Sequence, residues 1–498
     1  MIRTVPLRQL IESTKRGAQY FASGEVDSSR EVGFHIYGEI RLSLKMTAAE
    51  DTNDAQRYLS ILQDYASIAN ACANVAQAEL LEVQGERIHV LMPCPRADRS
   101  AVDRVISFAI SLSDLVYKKI GAKAGKEFQG FALAADHGEA LLLHSGNGSS
   151  GSIISLGPAA NAPAKRLGIA QDGTVKTPAQ HLAMKSEILK AIGYVPESCE
   201  WTNIKVMDAS IVFAHLSDAD LTTRMNFSAD DELARNPVPQ SVISATSSYF
   251  SGPSYSPSQA LKLSAFCLRA DLDGFTREVQ NAFDTGHTQK LLQRFIAITE
   301  FAKQFASMPD RKIISLPWAG DCANMIVLPK VVGESYSDAQ MYVPAQIPAE
   351  WHSQVKGGGN MPNPASKAMG VSRWAVACVG GELEGESSPV ILLATLRTTT
   401  RDFVIAAGWS VGRSADALEA QDVRGCDTVI AYEDYQALDS TYKELFVELD
   451  SRFWISRDLD VHRIKNKCAA ASVQITGPYV PSARRNVPDP KPHWQHDD

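Results

Sequence analysis

Residues 265–276 read AFCLRADLDGFT, and residues 312–329 read KIISLPWAGDCANMIVLP. The first stretch is an apolar run with strand character that ends at Asp271 and passes into a turn at Asp273-Gly274. The second reads as two apolar strands with a tight turn near Ala319-Gly320, so that Asp321 sits in the turn. Between them, Thr288–Ser307 carries apolar residues at helical spacing. If the strands lie side by side, the carboxylates of Asp271 and Asp321 emerge together at one end. With the backbone carbonyl of Leu272 they would form an oxygen-rich donor set suited to Mg²⁺ or Mn²⁺. One aspartate alone is read more simply as a turn cap; the spaced pair is the signal. Asp273, in the turn that follows, ranks below its neighbours.

The order of elements repeats upstream. A strand-like run at Gly33–Leu42 is followed by a helical stretch at Ala55–Leu80, then by LLEVQGERIHVLMP (residues 80–93) with a turn at Gln84-Gly85. Phe34 matches Phe266, Glu39 matches Asp271, and Gly85-Glu86 matches Gly320-Asp321; the two acids are 47 residues apart in the first half and 50 in the second. FALAADHGEALLL (131–143) also aligns with FVIAAGWSVGRS (403–414). Several matches in one order argue for a duplicated β-α-β unit. The expected organisation is an N-terminal helix over residues 1–25, a first domain over 26–235, a Ser/Pro-rich linker over 236–260, a second domain over 261–470 and a disordered tail over 471–498.

Composition narrows the function classes. A chain of 498 residues exceeds one ordinary core. With 49 Lys+Arg against 57 Asp+Glu, the net charge is -8, which does not favour nucleic acid as a partner. No run of about 18 apolar residues suggests a membrane span. The charged start, with Arg8, Glu12, Lys15 and Arg16, is unlike a secretory signal. Eight cysteines lie singly with no CxxC pair, as expected of a reducing compartment, hence the cytoplasm.

ADLDGFT followed by WAGDCANM resembles the class III nucleotidyl cyclases, whose metal aspartates stand in a strand D-x-x-G-F-T and a hairpin G-D. The resemblance implies an α/β (α+β) fold of two tandem ferredoxin-like cyclase domains forming an intramolecular pseudodimer. It implies Asp271, Asp321 and the Leu272 carbonyl as ligands of two divalent cations, Mn²⁺ or Mg²⁺. Gly274, Phe275 and Thr276 would cradle the substrate triphosphate through backbone N–H groups. D-L-D-G-F-T also resembles the nucleophile motif of haloacid-dehalogenase-type phosphatases. That family needs a second pair of nearby carboxylates, where GDCANMIV has only Asp321, and Phe275 interrupts its pattern.

In the first half, LGPAANAPAKRL (156–167) resembles the cyclase G-x-x-V-N-x-A-x-R stretch, whose Asn and Arg stabilise the transition state. Asn161 falls on the Asn and Lys165 on the Arg, with Arg166 adjacent; either cation could serve. RGCDTVIAYEDYQ (424–436), taken as the matching stretch of the second half, has neither Asn nor cation at this spacing. The first half has Glu39 and Glu86 where the metal aspartates would be. These complementary losses imply one competent site per chain, with homodimerisation unnecessary for catalysis and left open.

Adenylate cyclases of the family read the base with a Lys three residues before the hairpin Gly and an Asp seven before the Asn; guanylate cyclases use Glu and Cys. Here those positions are Glu82 and Ile154, with Ser155 beside it. A carboxylate at 82 suits an N–H of guanine, uracil or cytosine. Over residues 30–455 the chain also looks like the pyrimidine cyclases of bacterial antiphage (Pycsar) systems. That implies UTP, favoured over CTP, converted to a 3′,5′-cyclic monophosphate that acts on a separate effector. A guanylate cyclase, or a catalytically inactive cyclase-fold nucleotide sensor, is the alternative.

Overall fold

The computed structural model describes residues 2–15, 26–43, 52–144, 153–167, 180–194, 200–205, 219–236, 241–245, 259–307, 312–318, 320–330, 334–355, 374–381, 391–400, 402–419, 428–457, 459 and 464. The first half runs β1 (Ile2–Thr4), α1 (Leu7–Lys15), β2 (Val26–Leu42), α2 (Thr52–Val75), β3 (Glu79–Gln84), β4 (Arg87–Pro93), α3 (Arg99–Leu115), β5 (Phe128–His144), β6 (Ile153–Leu156), α4 (Pro158–Leu167), β7 (His181–Lys185), α5 (Ser186–Ala191), β8 (Trp201–Lys205) and α6 (Ala219–Arg235). The second begins with β9 (Ser241–Ala245), β10 (Gln259–Leu263), β11 (Ala265–Leu272), α7 (Phe275–Asp284), α8 (Thr288–Ala306), β12 (Ile313–Ser315) and β13 (Ala323–Val327). It continues through α9 (Val343–Val355), β14 (Trp374–Gly381), β15 (Ile391–Arg397), β16 (Asp402–Ala407), α10 (Trp409–Glu419), β17 (Thr428–Ala431), α11 (Tyr432–Ala437), β18 (Val447–Glu448) and β19 (Phe453–Ser456).

The first sheet has the order β3-β4-β2-β5-β7-β8, and the second β12-β13-β11-β14-β17-β19-β18. In each, the leading four strands follow the ferredoxin-like β-α-β-β-α-β path. β2 lies antiparallel between β4 and β5, and β11 lies antiparallel between β13 and β14. The alternation of β2 explains its two faces. Phe34, Ile36 and Ile40 enter the helix-covered core, while Tyr37 joins Ala132, Ala134, Ala183 and Leu167 beneath α4.

Two apolar arms lock the halves together. Leu141 and Leu143 of β5, with Ile154 and Leu156 of β6, are buried in the second half's core beside Phe266, Leu268 and Trp318. Reciprocally, Leu392, Ala394 and Leu396 of β15, with Phe403 and Ile405 of β16, enter the first half's core against α2. α2 is therefore apolar around most of its circumference, as suits a helix covered on two sides. Burying a Leu or Ile side chain stabilises by about 1.5–3 kcal/mol, so each arm contributes enough to hold the halves together. Polar pairing fixes the register: Gln63 donates to Arg397 O at 2.7 Å and accepts from Arg397 N at 2.9 Å. Beside it, Glu232 accepts from Asn70 at 3.0 Å and from the Thr399 hydroxyl at 2.7 Å.

Three sequence expectations need correction or completion. The stretch 236–260, expected to be linker, contains β9, which pairs in parallel with β10 in a third sheet of order β16-β15-β10-β9. Its SVISA sequence is β-branched enough to add to that sheet. The alignment of 131–143 with 403–414 is out of step. β5 is one continuous strand of 17 residues. Its counterpart is split: β14 takes the central place beside β11, and β15 forms the arm with β16. β16 therefore matches β6, and α10 matches α4. Both helices open alike, with Ala160 N and Asn161 N donating to Gly157 O, and Val411 N and Gly412 N donating to Gly408 O. Residues 428–436 instead match β7 and α5, each a strand parallel to the sheet's central partner followed by a short helix. In the 1–25 region, the helix occupies Leu7–Lys15 and follows a strand. The 471–498 tail lies outside the described residues.

Candidate functional site

β11 delivers Asp271 to the end of the second sheet, where Ala270 is the last residue in register with β13, opposite Ala323. The hairpin then turns through Gly320, whose φ of +62° is a left-handed conformation that suits glycine, and brings Asp321 back beside the end of β11. The hairpin is braced internally: Asn324 Nδ2 donates to Pro317 O at 3.0 Å. Burial pushes the Asp271 carboxyl up to about 6, opposed by Lys165 and Arg269 and assisted by Asp273. Asp321 is raised well above the usual carboxylate range by burial first and by Asp271 second, with Lys165 acting in the opposite direction. Two carboxylates thus share one partly dry corner, each raising the other's cost of ionisation.

Lys165, on α4 of the other half, lies near enough for its charge to act on both carboxylates. α4 lies across the open face of the first sheet, and its entry is tight: a Cβ on Gly157 would stand 2.6 Å from Glu139 O. Asn161 and Lys165 are one turn apart on this helix. The adjacent Arg166 turns away, its Nη2 donating to Asn203 Oδ1 on β8 at 3.5 Å. Lys165, rather than Arg166, is the cation that acts on both aspartates.

Beyond Asp271 the chain forms a cradle. Gly274 adopts φ +76° and caps α7 without any side-chain hydrogen bond, leaving the first N–H groups of α7 uncapped by a side chain. Phe275 is buried and packs against Phe295, and Leu272 is likewise buried. Their side chains are structural, so only the backbone carbonyl of Leu272 and the backbone amide of Phe275 could serve a ligand. Thr276 is half-buried on the first turn of α7. The donor set of two carboxylates and a carbonyl fits a hard divalent cation, whose charge would relieve the repulsion between Asp271 and Asp321. Among the described residues, no cluster of three or more His, Cys, Asp or Glu side chains forms a self-contained metal cage.

Glu82 lies on β3, 6% exposed, in register with His89 on β4. It accepts a short hydrogen bond from Gln84 Nε2, and the same nitrogen donates to Trp318 O of the second half at 3.0 Å. Ile154 is buried among apolar groups of the second half. Gln84 and Arg269 were not singled out from sequence. Arg269 could have been, because it stands two residues before Asp271 on the same strand face.

No protein-family model matches the sequence, and no curated protein is detectably similar to it. Among solved structures, the chain is similar to a class III adenylyl cyclase-like ATP-binding protein from Pseudomonas aeruginosa. The TM-score is 0.66 at 19% identity, over 94% of this chain and 95% of that one. The adenylyl cyclase CyaB from P. aeruginosa aligns at 15% identity and TM-score 0.28, over 40% of this chain and 96% of its own. The guanylyl cyclase Cya2 aligns at 14% and 0.27, over 35% and 92%. The fold is that of a class III cyclase-like protein, extending across both halves. No described helix is long and apolar enough to cross a membrane.

Proposed function

We propose that the chain is a metal-dependent nucleotidyl cyclase converting a pyrimidine nucleoside triphosphate, UTP in preference to CTP, to the 3′,5′-cyclic monophosphate and pyrophosphate. The observation that carries this reading is the convergence of Asp271 and Asp321 from one half with Lys165 from the other. Two divalent cations, Mn²⁺ or Mg²⁺, bound by Asp271, Asp321 and the Leu272 carbonyl would lower the pKa of the ribose 3′-hydroxyl and offset triphosphate charge. The chain's own groups do the rest. The amides of Gly274, Phe275 and Thr276 hold the phosphates at the start of α7. Lys165 balances charge that builds on the α-phosphoryl oxygens and the leaving pyrophosphate, and Asn161 orients the ribose and phosphate at the reacting bond. Arg166 acts only through its place on α4.

Glu82 supports a base that presents an N–H, as uracil does at N3. Ile154 gives no hydrogen bond for the adenine amino group. The pyrimidine preference and the role as an antiphage messenger, acting on a separate cyclic-nucleotide effector in the cytoplasm, rest on the family resemblance of RADLDGFT, LPWAGDCANM and DTVIAYEDYQAL. A second reading is a nucleotide-binding protein without turnover. It is favoured by Lys165 in the place of the family's Arg, and the P. aeruginosa protein sharing both halves is described as ATP-binding.

The test is purified protein with Mn²⁺ and each of the four nucleoside triphosphates, products resolved by mass, beside Asp321→Ala. Cyclic UMP or CMP that disappears in the variant is expected. Cyclic GMP alone would replace the pyrimidine reading with a guanylate cyclase. Saturable binding with no cyclic product would favour the sensor.

A further inference from the structure

The side-chain amide of Gln84 stands between two groups of different halves. Its Nε2 donates to the Glu82 carboxylate two residues back on β3 and to the Trp318 carbonyl at 3.0 Å. Both partners are acceptors, so the orientation of the amide follows from chemistry: only the NH₂ side can serve both. Glu82 and Gln84 share a strand face by their i, i+2 spacing. Trp318 is fixed by its ring, buried in the second core and set edge-on to Phe295. Three residues after Trp318 comes Asp321.

Glu82 is itself in polar company. It faces His89 in strand register, and its charge acts on Tyr37, whose ring stacks on His89 at 4.1 Å between centroids. His89 Nε2 in turn meets His35 Nδ1 at 3.0 Å. A carboxylate this buried and this closely surrounded has a set plane, and Gln84 crosses from it to the hairpin that carries Asp321.

We propose that Gln84 is a positioning residue that sets the base-reading carboxylate of Glu82 and the Asp321 hairpin together, so that nucleobase selectivity and turnover depend on one amide. The proposal rests on the cyclase reading for its kinetic arm and on nucleotide binding alone for its other arm. A merely structural role would lower activity on all four nucleotides alike; a positioning role changes their ratio.

The experiment compares wild type, Gln84→Met and Gln84→Lys. It measures kcat and KM for the four nucleoside triphosphates with Mn²⁺, and affinity for their fluorescent analogues with Ca²⁺. Gln84→Met keeps the length but loses the donors, and we expect kcat on the best substrate to fall about tenfold. Its advantage over the others should fall by about tenfold too, as for a site that reads a hydrogen-bonding group. Gln84→Lys, which restores N–H donors toward both acceptors, is expected to keep the wild-type ranking. A folded Gln84→Met protein with an unchanged ranking, whether its kcat is kept or lowered on all four alike, would overturn the proposal. If Gln84→Met does not fold, Gln84→Lys decides: a retained ranking supports the proposal and an altered one overturns it. If wild type forms no cyclic product, the cyclase reading fails by itself, and the affinity ranking still tests Gln84.

Discussion

The two halves place an acidic pair at the same point of the same fold and treat it differently. In the second half, Asp271 and Asp321 both feel the charge of Lys165, a cation supplied by the other half, and Asp271 also that of Arg269 on its own strand. In the first, Glu39 and Glu86 occupy the matching ends of β2 and the β3–β4 turn, and Ile40 N donates to Glu86 O at 3.1 Å across the strands. The neutralising cation there comes from within: Arg87 lies opposite Glu39 in register and its Nη2 donates to Glu39 Oε1 at 3.0 Å. The residue following the hairpin acid is Arg87 in one half and Cys322 in the other. One site carries its own counter-charge; the other leaves its acids to be neutralised from outside the hairpin. The facing helices differ to match, since Gly412 and Asp416 of α10 stand where α4 has Asn161 and Lys165.

The comparison breaks most sharply at the hairpin acids. Asp321→Ala is expected to lower turnover by at least about 10³-fold, whereas Glu86→Ala should leave it within about threefold while lowering the melting temperature. Equal losses in steady-state assays of the two variants would mean that the first-half pair also serves catalysis. Transplanting the built-in cation gives the next largest effect. Cys322→Arg should place a guanidinium beside Asp271, compete with divalent cations and reduce turnover by roughly 10²-fold. Its melting temperature should stop responding to added Mn²⁺, and a retained thermal response would show that the thiol position does not set cation demand. Lys165→Ala should cost about 10²-fold in kcat and Arg166→Ala less than about fivefold. The reverse order in kcat would reassign the transition-state cation to Arg166.

Much of this contrast is legible in sequence, for a physical reason. Strands alternate with period two and end in turns that need Gly or Asp, so Asp271, Asp321, Glu39 and Glu86 can be placed at strand ends from local pattern alone. Helix rotation is another matter. Lys165 and Arg166 are about 100° apart around α4, and which one faces the acids depends on how Gly157 lets the helix settle on β5. The mismatch of 131–143 with 403–414 has a similar origin. Apolar alternation looks the same whether a strand is continuous, as β5 is, or divided between two sheets, as β14 and β15 are. Gln84 and Trp318 are 234 residues apart, and no local period reports such a meeting.

The smallest expected effect concerns the proton on Glu86. Burial first, and then Glu39, push its carboxyl up to about 8, with the Tyr58 hydroxyl and Arg87 opposing. The Tyr58 hydroxyl donates to Glu86 Oε1 at 3.2 Å. Between the ordinary glutamate range and about 8, the folded chain binds this proton and the unfolded chain does not. Stability from this group is therefore present at low pH and declines as pH rises through that window. Glu86→Gln keeps an acceptor for Tyr58 and removes the ionisation. With saturating Mg²⁺ to hold the second-half acids constant, the variant should melt with wild type near pH 5. It should melt about 1–2 °C higher near pH 8.5, a shift scaled to the large unfolding entropy of a chain this size. Parallel melting curves across that range would place the Glu86 proton elsewhere and make the first-half pair as dependent on outside charge as the second.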